Sequence, residues 1–283
     1  MKAYTHSVDA DGWACAAIIK KKYPDCEMFG INHGEKFPWN DIVIGETVIM
    51  ADFSLPMADM VKLKERCGLI VIDHHQSFID ACDAQGEFFM GVQVSGVGAC
   101  VLAWNYLFTD EEVPYAVKLI SDWDVWQFKH DATKPFQYAL RLEDTSPESP
   151  IWDRLLSDDS DKLIRSMLEK GLAIMEYSKQ ESAIQCQAAF ETELEGLKCI
   201  AINKLFSGSN LFDSVWDPEK YDAMISFGWY LGRWKVSLRS EDVDVSKIAV
   251  KYGGGGHAQA CGFSCHELPF DLTYTPVWIK EKG

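Results

Sequence analysis

Acidic and histidine residues follow three short apolar runs of the sequence. Asp9-Ala10-Asp11-Gly12 comes after the first run, Asp52 after the second and Asp73-His74-His75 after the third. Carboxylates and imidazoles are metal ligands, and residues two apart in an extended backbone point the same way, so Asp9 and Asp11 could face one cation. An isolated Asp-x-Asp-Gly segment is more often a solvated turn with a capping aspartate. Three such segments in succession favour a metal site over coincidence.

The apolar runs before these residues are predicted to be strands, at residues 4–8, 47–51 and 69–72. Their nearly continuous apolar character is typical of parallel strands that are covered on both faces. Helices are expected at residues 13–22, 96–108 and 113–120. The alternation predicts an α/β fold whose N-terminal part is a doubly wound, mostly parallel sheet. In such sheets ligands bind beyond the carboxyl ends of the strands, where the candidate ligands lie.

The second half of the chain has a different organisation. A loop is expected at residues 145–150, and apolar residues then recur at the helical period through 161–190, which predicts a connecting helix. Strands are predicted at 198–202, 223–227 and 235–239, the last two forming a hairpin around Gly232. These elements indicate a smaller C-terminal α/β domain. The predicted limits are 1–157 for the first domain, 158–194 for a helical linker and 195–283 for the second domain.

The charge of the chain restricts its partners. There are 27 basic and 43 acidic residues, a net charge of −16. A field of this sign repels long polyanions, so we expect no binding to long duplex nucleic acid. A small anion in a local pocket is compatible with it if bound divalent cations reverse the field there.

Composition and apolar patterning indicate a folded protein of the cytoplasm. The chain is 47% hydrophobic and 25% charged, as globular proteins are. Its apolar runs are far shorter than the roughly 18 residues of a membrane span, and its first residues lack the apolar region of a signal peptide. Nine scattered cysteines, an odd number, fit reduced thiols better than a disulfide framework. We expect a cytoplasmic protein that does not bind membranes.

The order of the motifs resembles that of a known family, the DHH phosphoesterases. In chain order the motifs are Thr5-His6 with Asp9-Ala10-Asp11-Gly12, Ala51-Asp52, the name-giving triplet Asp73-His74-His75, and Ser121-Asp122-Trp123-Asp124. Further on, Val236-Ser237-Leu238-Arg239-Ser240, Gly253-Gly254-Gly255-Gly256-His257 and Ala260-Cys261-Gly262-Phe263 resemble the glycine-rich DHH-associated domain. The resemblance covers residues 4–263 and implies a catalytic N-terminal domain and a substrate-binding C-terminal domain.

The resemblance implies a pair of metal ions. One ion would be held by His6, Asp9 and Asp52, and the other by Asp11, Asp52, His74 and Asp122, with Asp52 bridging. Mixed carboxylate and imidazole ligands suit Mn²⁺ better than zinc, so two Mn²⁺ ions are expected, with Mg²⁺ or Co²⁺ as substitutes. Hydroxide would attack phosphorus between the two ions. Asp73, His74 and His75 would be the catalytic residues, with Asp73 orienting a histidine and His75 facing the phosphate.

Two ligand assignments stay open in the sequence. His6 precedes Asp9 by three residues, an offset that turns the two side chains to opposite faces of a regular strand. Either the chain bends there or His6 is not a ligand. In the fourth motif Asp122 and Asp124 are both at the end of a predicted helix; the family pattern favours Asp122, with Asp124 as a capping or orienting residue.

Substrate-binding residues are expected chiefly in the second domain. Arg239 offers a planar fork for a phosphate, with a strand-end salt bridge as the alternative, and the backbone N–H groups of 253–257 could form an anion nest. The predicted substrate-binding set is His75, Arg239, Gly254, Gly255, Gly256 and His257. Trp123 and Trp126 could stack on a base, although core packing is commoner for tryptophan. Three histidines have no visible partner and receive no role: His33, His130 and His266.

The function that follows is hydrolysis of short oligonucleotides by a Mn²⁺-dependent phosphoesterase, an exonucleolytic nanoRNase or oligoribonuclease. The length of 283 residues argues against a RecJ-type exonuclease, since those enzymes resemble the chain in motifs but carry extra domains for long strands. The alternatives are a 3′-phosphoadenosine 5′-phosphate phosphatase and a phosphodiesterase for linear or cyclic dinucleotides. A non-catalytic nucleotide-binding regulator is the alternative of another class. The partner is a short oligonucleotide or nucleotide, and a homodimer is left open.

Overall fold

The computed structural model describes residues 1–157 and 159–272. Residue 158 of the predicted linker and residues 273–283 of the predicted second domain lie outside this range. The chain divides into two compact units, Met1–Met175 and Glu176–Gly283. In the described part of the chain, every helix is too short or too polar to cross a membrane.

The first unit is built on a five-stranded sheet. Its strands are β1 (Lys2–His6), β2 (Glu27–Ile31), β3 (Thr47–Ala51), β4 (Gly68–Asp73) and β5 (Met90–Gln93). They are ordered β2-β1-β3-β4-β5, and all neighbouring strands are parallel, which confirms the predicted parallel sheet. The chain leaves β1 toward one edge and returns to β3 on its other side. A sheet of this kind binds ligands at such a reversal, beyond the carboxyl ends of the strands.

Helices cover both faces of this sheet. They are α1 (Ala10–Lys22), α2 (Met57–Arg66), α3 (Gln76–Gln85), α4 (Ala99–Leu107), α5 (Tyr115–Asp124), α6 (Thr133–Leu140), α7 (Ile151–Leu155) and α8 (Asp161–Gln185). Because side chains alternate along a strand, Ala3 and Ile49 pack with α1, α4 and α5 on one face, while Tyr4 and Met50 pack with α2 and α3 on the other. The two apolar cores confirm a doubly wound unit.

Two features of this sheet differ from the sequence prediction. The first strand was expected at 4–8 but spans Lys2–His6, because the chain bends at Val8. Lys2 fits in the buried strand because its ammonium group lies 3.2 Å from the carboxylate of Glu46. β2 and β5 were not predicted, since each is short and mixes glycine and polar residues with its apolar ones.

The second unit contains a six-stranded sheet. Its strands are β6 (Phe190–Leu194), β7 (Leu197–Asn203), β8 (Ala223–Tyr230), β9 (Arg233–Arg239), β10 (Gly255–His257) and β11 (Ala260–Cys265), and the helix α9 (Ser246–Lys251) contacts β10 and β11. The order is β10-β11-β9-β8-β7-β6, and only β7 and β8 are parallel among these described strands. The predicted hairpin is confirmed: β8 and β9 are joined by Leu231 and Gly232, both with positive φ, as a tight hairpin turn requires.

The connecting helix is shorter than predicted. It was expected to run through 161–190, but α8 ends at Gln185, a 3-10 turn follows at Cys186–Ala188, and β6 begins at Phe190. Phe190 and Leu194 are buried in the core of the second sheet, so their apolar character reflects a strand and not the helix. The limits 1–157, 158–194 and 195–283 remain a prediction, although β6 places residues 190–194 in the second sheet.

Candidate metal centre

The candidate ligands lie at the carboxyl edge of the first sheet, beside the reversal between β1 and β3. His6 is the last residue of β1, Asp52 follows β3, and Asp73 ends β4. Asp52 has φ +55°, a left-handed conformation that is uncommon for a non-glycine residue, and it is 2% exposed. Its N–H group donates to the Ile72 carbonyl at 2.9 Å, which ties the turn after β3 to β4.

One cluster contains His6, Asp9 and Asp52, whose ligand atoms lie within 4.8 Å of one another. Asp9 caps α1 by accepting the Gly12 N–H group at its Oδ1, and its Oδ2 lies 2.9 Å from His6 Nδ1. Because the strand ends at His6 and the chain bends before Asp9, the odd offset between the two residues does not separate them. A Cβ on Gly12 would come within 2.1 Å of the His6 carbonyl oxygen, so only glycine allows this close approach.

A second cluster contains Asp11, His74 and Asp124. His74 Nε2 lies 3.3 Å from Asp124 Oδ2 and 3.9 Å from Asp11 Oδ2. Asp11 also caps α4, since its carboxylate accepts the N–H groups of Ala99 at 2.6 Å and Cys100 at 3.0 Å. The expectation that Asp9 and Asp11 face one cation is therefore corrected: α1 starts at Ala10, the backbone is not extended, and the two carboxylates lie in different clusters.

Asp52 belongs to the first cluster and also lies beside His74 of the second. Its Oδ1 lies 3.3 Å from His74 Nε2 and its Oδ2 lies 3.7 Å from His6 Nδ1. A third group of potential ligands joins it to His74 and His75. Asp52 Oδ2 is buried and accepts no hydrogen bond within the described chain, a costly state for a carboxylate that a cation would relieve. The residues therefore fit divalent cations that prefer oxygen and imidazole ligands.

The structure does not bring Asp122 into these clusters. Its carboxylate accepts the backbone N–H groups of Lys129 at 2.9 Å and His130 at 3.2 Å, and the hydroxyl of Thr133. Residues two apart on a helix point in different directions, so Asp122 and Asp124 cannot both face the clusters. Asp124, which the sequence offered as a capping or orienting residue, occupies the position that the family pattern gave to Asp122.

The three residues of the Asp73-His74-His75 triplet make different contacts. Asp73 is fully buried, and its Oδ1 accepts the ring Nδ1–H of His75 at 2.7 Å and the backbone N–H groups of His74 and His75 at 2.8 and 3.2 Å. Asp73 thus orients one histidine, His75, while His74 faces the carboxylates. This arrangement presents the His75 ring in a fixed tautomer, with Nδ1 carrying the proton.

The concentration of carboxylates changes the acidity of the site. Burial and the charges of Asp52 and Asp124 raise the pKa of Asp11 well above its usual value, and burial raises the pKa of Asp124 to about 6. Burial alone would lower the pKa of His74, but Asp52, Asp11 and Asp124 outweigh it and raise that pKa to about 9. Burial opposes ionisation of Asp52, yet the imidazoles of His6 and His74 lower its pKa. The site therefore attracts positive charge, either protons or cations.

His33, to which the sequence analysis gave no role, lies beside the first cluster. Its ring lies 5.7 Å from the His6 ring and 4.9 Å from the Phe53 ring, at the edge of the first cluster. It follows β2, and the rule that polar residues after parallel strands are candidates would have identified it had β2 been predicted. His130, in contrast, packs its ring edge-on against Tyr115 and serves the loop after α5.

Arg239 lies at the end of β9 and is half-buried. Its Nη1 donates to the Leu238 carbonyl at 2.9 Å, and it forms no ion pair with an acidic side chain in residues 1–157 or 159–272. The alternative of a strand-end salt bridge is thus not found in the described chain. The guanidinium group keeps donors for an anion.

The predicted anion nest at residues 253–257 is wrong for its first two glycines. The N–H groups of Gly253 and Gly254 donate to the carbonyls of Val250 and Ala249 at 3.0 and 2.8 Å, which closes the end of α9, so neither is free for an anion. A Cβ on Gly254 would lie 2.1 Å from the Gly262 carbonyl oxygen, so this glycine is required for strand packing. Gly255, Gly256 and His257 form the exposed strand β10 and remain candidates.

Comparisons with known proteins found a domain match and a relative of similar sequence. Residues 219–271, which include Arg239 and the glycine-rich segment, match the DHHA1 domain. An uncharacterized protein of Acanthamoeba polyphaga mimivirus is 26% identical over 262 residues, which cover 84% of this chain and 57% of that protein. This chain thus spans little more than half the length of that relative.

Two solved structures are similar to the chain. A pGpG-specific phosphodiesterase from Vibrio cholerae has a TM-score of 0.59 at 14% identity, over 94% of this chain and 93% of that one. An exopolyphosphatase-related protein from Bacteroides fragilis has a TM-score of 0.45 at 14% identity, over 99% and 90% of the two chains. At these identities the first structure shows a shared fold.

The DHHA1 match supports the DHH family of phosphoesterases, which are hydrolases. The name-giving triplet of that family stands here at Asp73-His74-His75 beside the acidic clusters.

Proposed function

We propose that the chain is a metal-dependent phosphoesterase that hydrolyses short oligonucleotides with two Mn²⁺ ions. The observation that carries the proposal is the position of Asp52, whose two oxygens face two different histidines in two ligand clusters. A carboxylate shared in this way is what a bridged pair of cations requires. A regulator that only binds nucleotides has no need of such an arrangement.

The two ion sites are assigned from the clusters. His6, Asp9 and Asp52 would hold one ion, and Asp11, Asp52, His74 and Asp124 the other, with Asp124 in place of Asp122. When bound, the ions would lower the pKa of water and offset the charge on the phosphate. Asp73 fixes the ring of His75, which is half-exposed and would donate to a phosphate oxygen. Arg239 would bind a phosphate group through its free guanidinium donors.

Short substrates are favoured over long ones. A net charge of −16 opposes the binding of an extended polyanion, whereas a dinucleotide needs few compensating contacts. The structural neighbour from Vibrio cholerae is described as specific for pGpG, itself a dinucleotide. We therefore rank dinucleotides and other very short oligonucleotides first, and 3′-phosphoadenosine 5′-phosphate second.

A cytoplasmic location is part of the proposal. All nine cysteines are free of disulfides, and eight are buried. Free thiols in this number suit a reducing compartment such as the cytoplasm.

The test is hydrolysis by the purified chain with Mn²⁺ of pGpG, a 20-nucleotide RNA and 3′-phosphoadenosine 5′-phosphate in parallel. We expect pGpG to be the best substrate, and Asp52→Asn to lower its turnover at least about 100-fold. Asp25→Asn is the matched control, since Asp25 is exposed and precedes β2 at the opposite edge of the sheet. Preference for the 20-nucleotide RNA, or equal turnover by the Asp52 variant, would contradict the proposal.

A further inference from the structure

An aromatic cluster lies on both sides of the metal-centre residue Asp124 in the sequence. It consists of Trp123, Trp126 and Phe128. The Trp126 ring packs edge-on against Trp123 at 5.2 Å and against Phe128 at 4.6 Å between ring centroids. Trp126 is nevertheless 67% exposed, an unusual state for the largest apolar side chain. An edge-on packing leaves much of the indole face open to solvent.

The backbone of this segment is held in an unfavourable conformation. Trp126 has φ +55° and Phe128 has φ +50°, left-handed values that bulky residues rarely adopt. Such strain persists only where surrounding contacts fix it, and it concentrates at functional sites.

The contacts that fix the segment come from Asp122. Its carboxylate accepts the N–H groups of Lys129 and His130 and the hydroxyl of Thr133, while Gln127 donates its side-chain amide to the Gly96 carbonyl at 3.0 Å. Asp122 is buried, so these hydrogen bonds are shielded from water. Asp122, which the family pattern placed among the metal ligands, thus holds the loop that carries Trp126 by hydrogen bonds.

The charge around the cluster is locally basic in an acidic chain. The Arg141 guanidinium lies 5.3 Å from the Trp123 ring and the Lys134 ammonium 4.7 Å from the Phe128 ring. Lys129 is also exposed, and Asp131 is the one exposed acid between residues 126 and 134. Aromatic faces interleaved with cations are the composition of surfaces that stack the bases of single-stranded nucleic acids.

We propose that Trp126, supported by Phe128, stacks on a nucleobase of the substrate and selects nucleotides over other phosphate esters. The inference rests on the proposed function, which places a phosphate of the substrate at the metal centre. Asp124 of that centre stands two residues before Trp126, so the base of the same nucleotide would be near the Trp126 ring. A base is chosen over a protein partner because the exposed area is a single ring flanked by cations, and not a broad apolar patch.

The test is equilibrium binding of a non-hydrolysable dinucleotide that carries 2-aminopurine, whose fluorescence is quenched by stacking. The full chain with Mn²⁺ is compared with Trp126→Ala and Trp126→Phe. The matched control is Phe88→Ala: Phe88 is 77% exposed and precedes β5, at the amino edge of the same sheet. Turnover of pGpG and of a base-free ribose phosphate diester is measured on the same four proteins.

We expect quenching in the wild type, a roughly tenfold higher Kd and lost quenching in Trp126→Ala, and partial retention in Trp126→Phe. The loss of kcat/KM in Trp126→Ala should be larger for pGpG than for the base-free ester. Equal Kd values in wild type and Trp126→Ala, or no quenching in the wild type, would overturn the inference while leaving hydrolysis intact. Binding that depends on Trp126 without hydrolysis of any ester would support the inference and remove the proposed function.

Discussion

The carboxylates of Asp122 and Asp124 stand two residues apart on α5 and serve different partners. Asp124 Oδ2 lies 3.3 Å from His74 Nε2 in the second ligand cluster, whereas Asp122 accepts two backbone N–H groups and a hydroxyl from the loop after the helix. One turn of helix therefore joins the metal centre to the loop that carries Trp126. Mutation of each residue can therefore test metal binding by Asp124 and loop stabilisation by Asp122 separately.

Replacing Asp124 by asparagine should affect metal binding and turnover, whereas replacing Asp122 by asparagine should affect stability. Asp124→Asn should lose one Mn²⁺ ion and at least about 100-fold in turnover with a small change in stability, because only the ligand charge is removed. Asp122→Asn should keep both ions but lower the free energy of unfolding by about 1–3 kcal/mol, because a buried acceptor of three hydrogen bonds is weakened. Metal analysis and denaturant unfolding of the two variants decide the matter. Loss of an ion from the Asp122 variant alone would reverse the assignment.

Metal binding should strengthen as pH rises. The raised pKa values, about 9 for His74 and about 6 for Asp124, mean that the metal-free protein holds a proton on His74 below pH 9 and a second on Asp124 below pH 6. A cation must displace these protons, so the apparent affinity of the site formed by Asp11, His74 and Asp124 for Mn²⁺ increases from pH 5.5 to pH 8, and occupation of that site near neutral pH releases protons. Calorimetry in buffers of different ionisation enthalpy measures this release.

The matched control for that measurement is His130→Ala, since the His130 ring contacts Tyr115 and lies outside the ligand clusters. The variant should show the same pH dependence as the wild type. An affinity for Mn²⁺ that does not change between pH 5.5 and pH 8 would contradict the assignment of His74 and Asp124 as ligands.

Phosphate binding by Arg239 predicts a change in KM. Arg239→Ala should raise the KM for pGpG roughly tenfold and lower kcat less, because the proposed role of the guanidinium group is to bind the substrate and not to take part in bond cleavage. Arg233→Ala is the matched control, as Arg233 is an exposed arginine at the other end of the same strand. Steady-state kinetics on both variants measure the effect; an unchanged KM in Arg239→Ala would remove this residue from the substrate-binding set.

The sequence predicts the ligands that stand at strand ends, because a parallel sheet brings such residues to one edge. That reasoning puts Asp52, His74 and the first motif at one edge, and the structure places them close together there. The same reasoning does not choose between Asp122 and Asp124. The sequence shows that these two side chains point in different directions on a helix, but not which of them faces the sheet edge. That choice depends on the packing of α5 against α1 and α4, a contact between distant segments.

The position of His33 and the role of the glycine-rich segment could not be predicted from the local sequence. His33 follows β2, whose glycine and glutamate obscure the apolar pattern of a strand. The glycine-rich segment was expected to bind an anion along its whole length, yet Gly253 and Gly254 close α9. A run of glycines indicates unusual backbone geometry in either case, and only the positions of the neighbouring carbonyl groups distinguish a helix cap from an anion site.

The shared role of Asp52 is tested most directly by the number of Mn²⁺ ions that the chain binds. Equilibrium titration followed by electron paramagnetic resonance should find two ions per chain, magnetically coupled through a common ligand, and Asp52→Asn should lose the coupling and at least one ion. The Asp25→Asn control should match the wild type. A single ion in the wild type, or two uncoupled ions that persist in Asp52→Asn, would contradict a bridged two-metal centre.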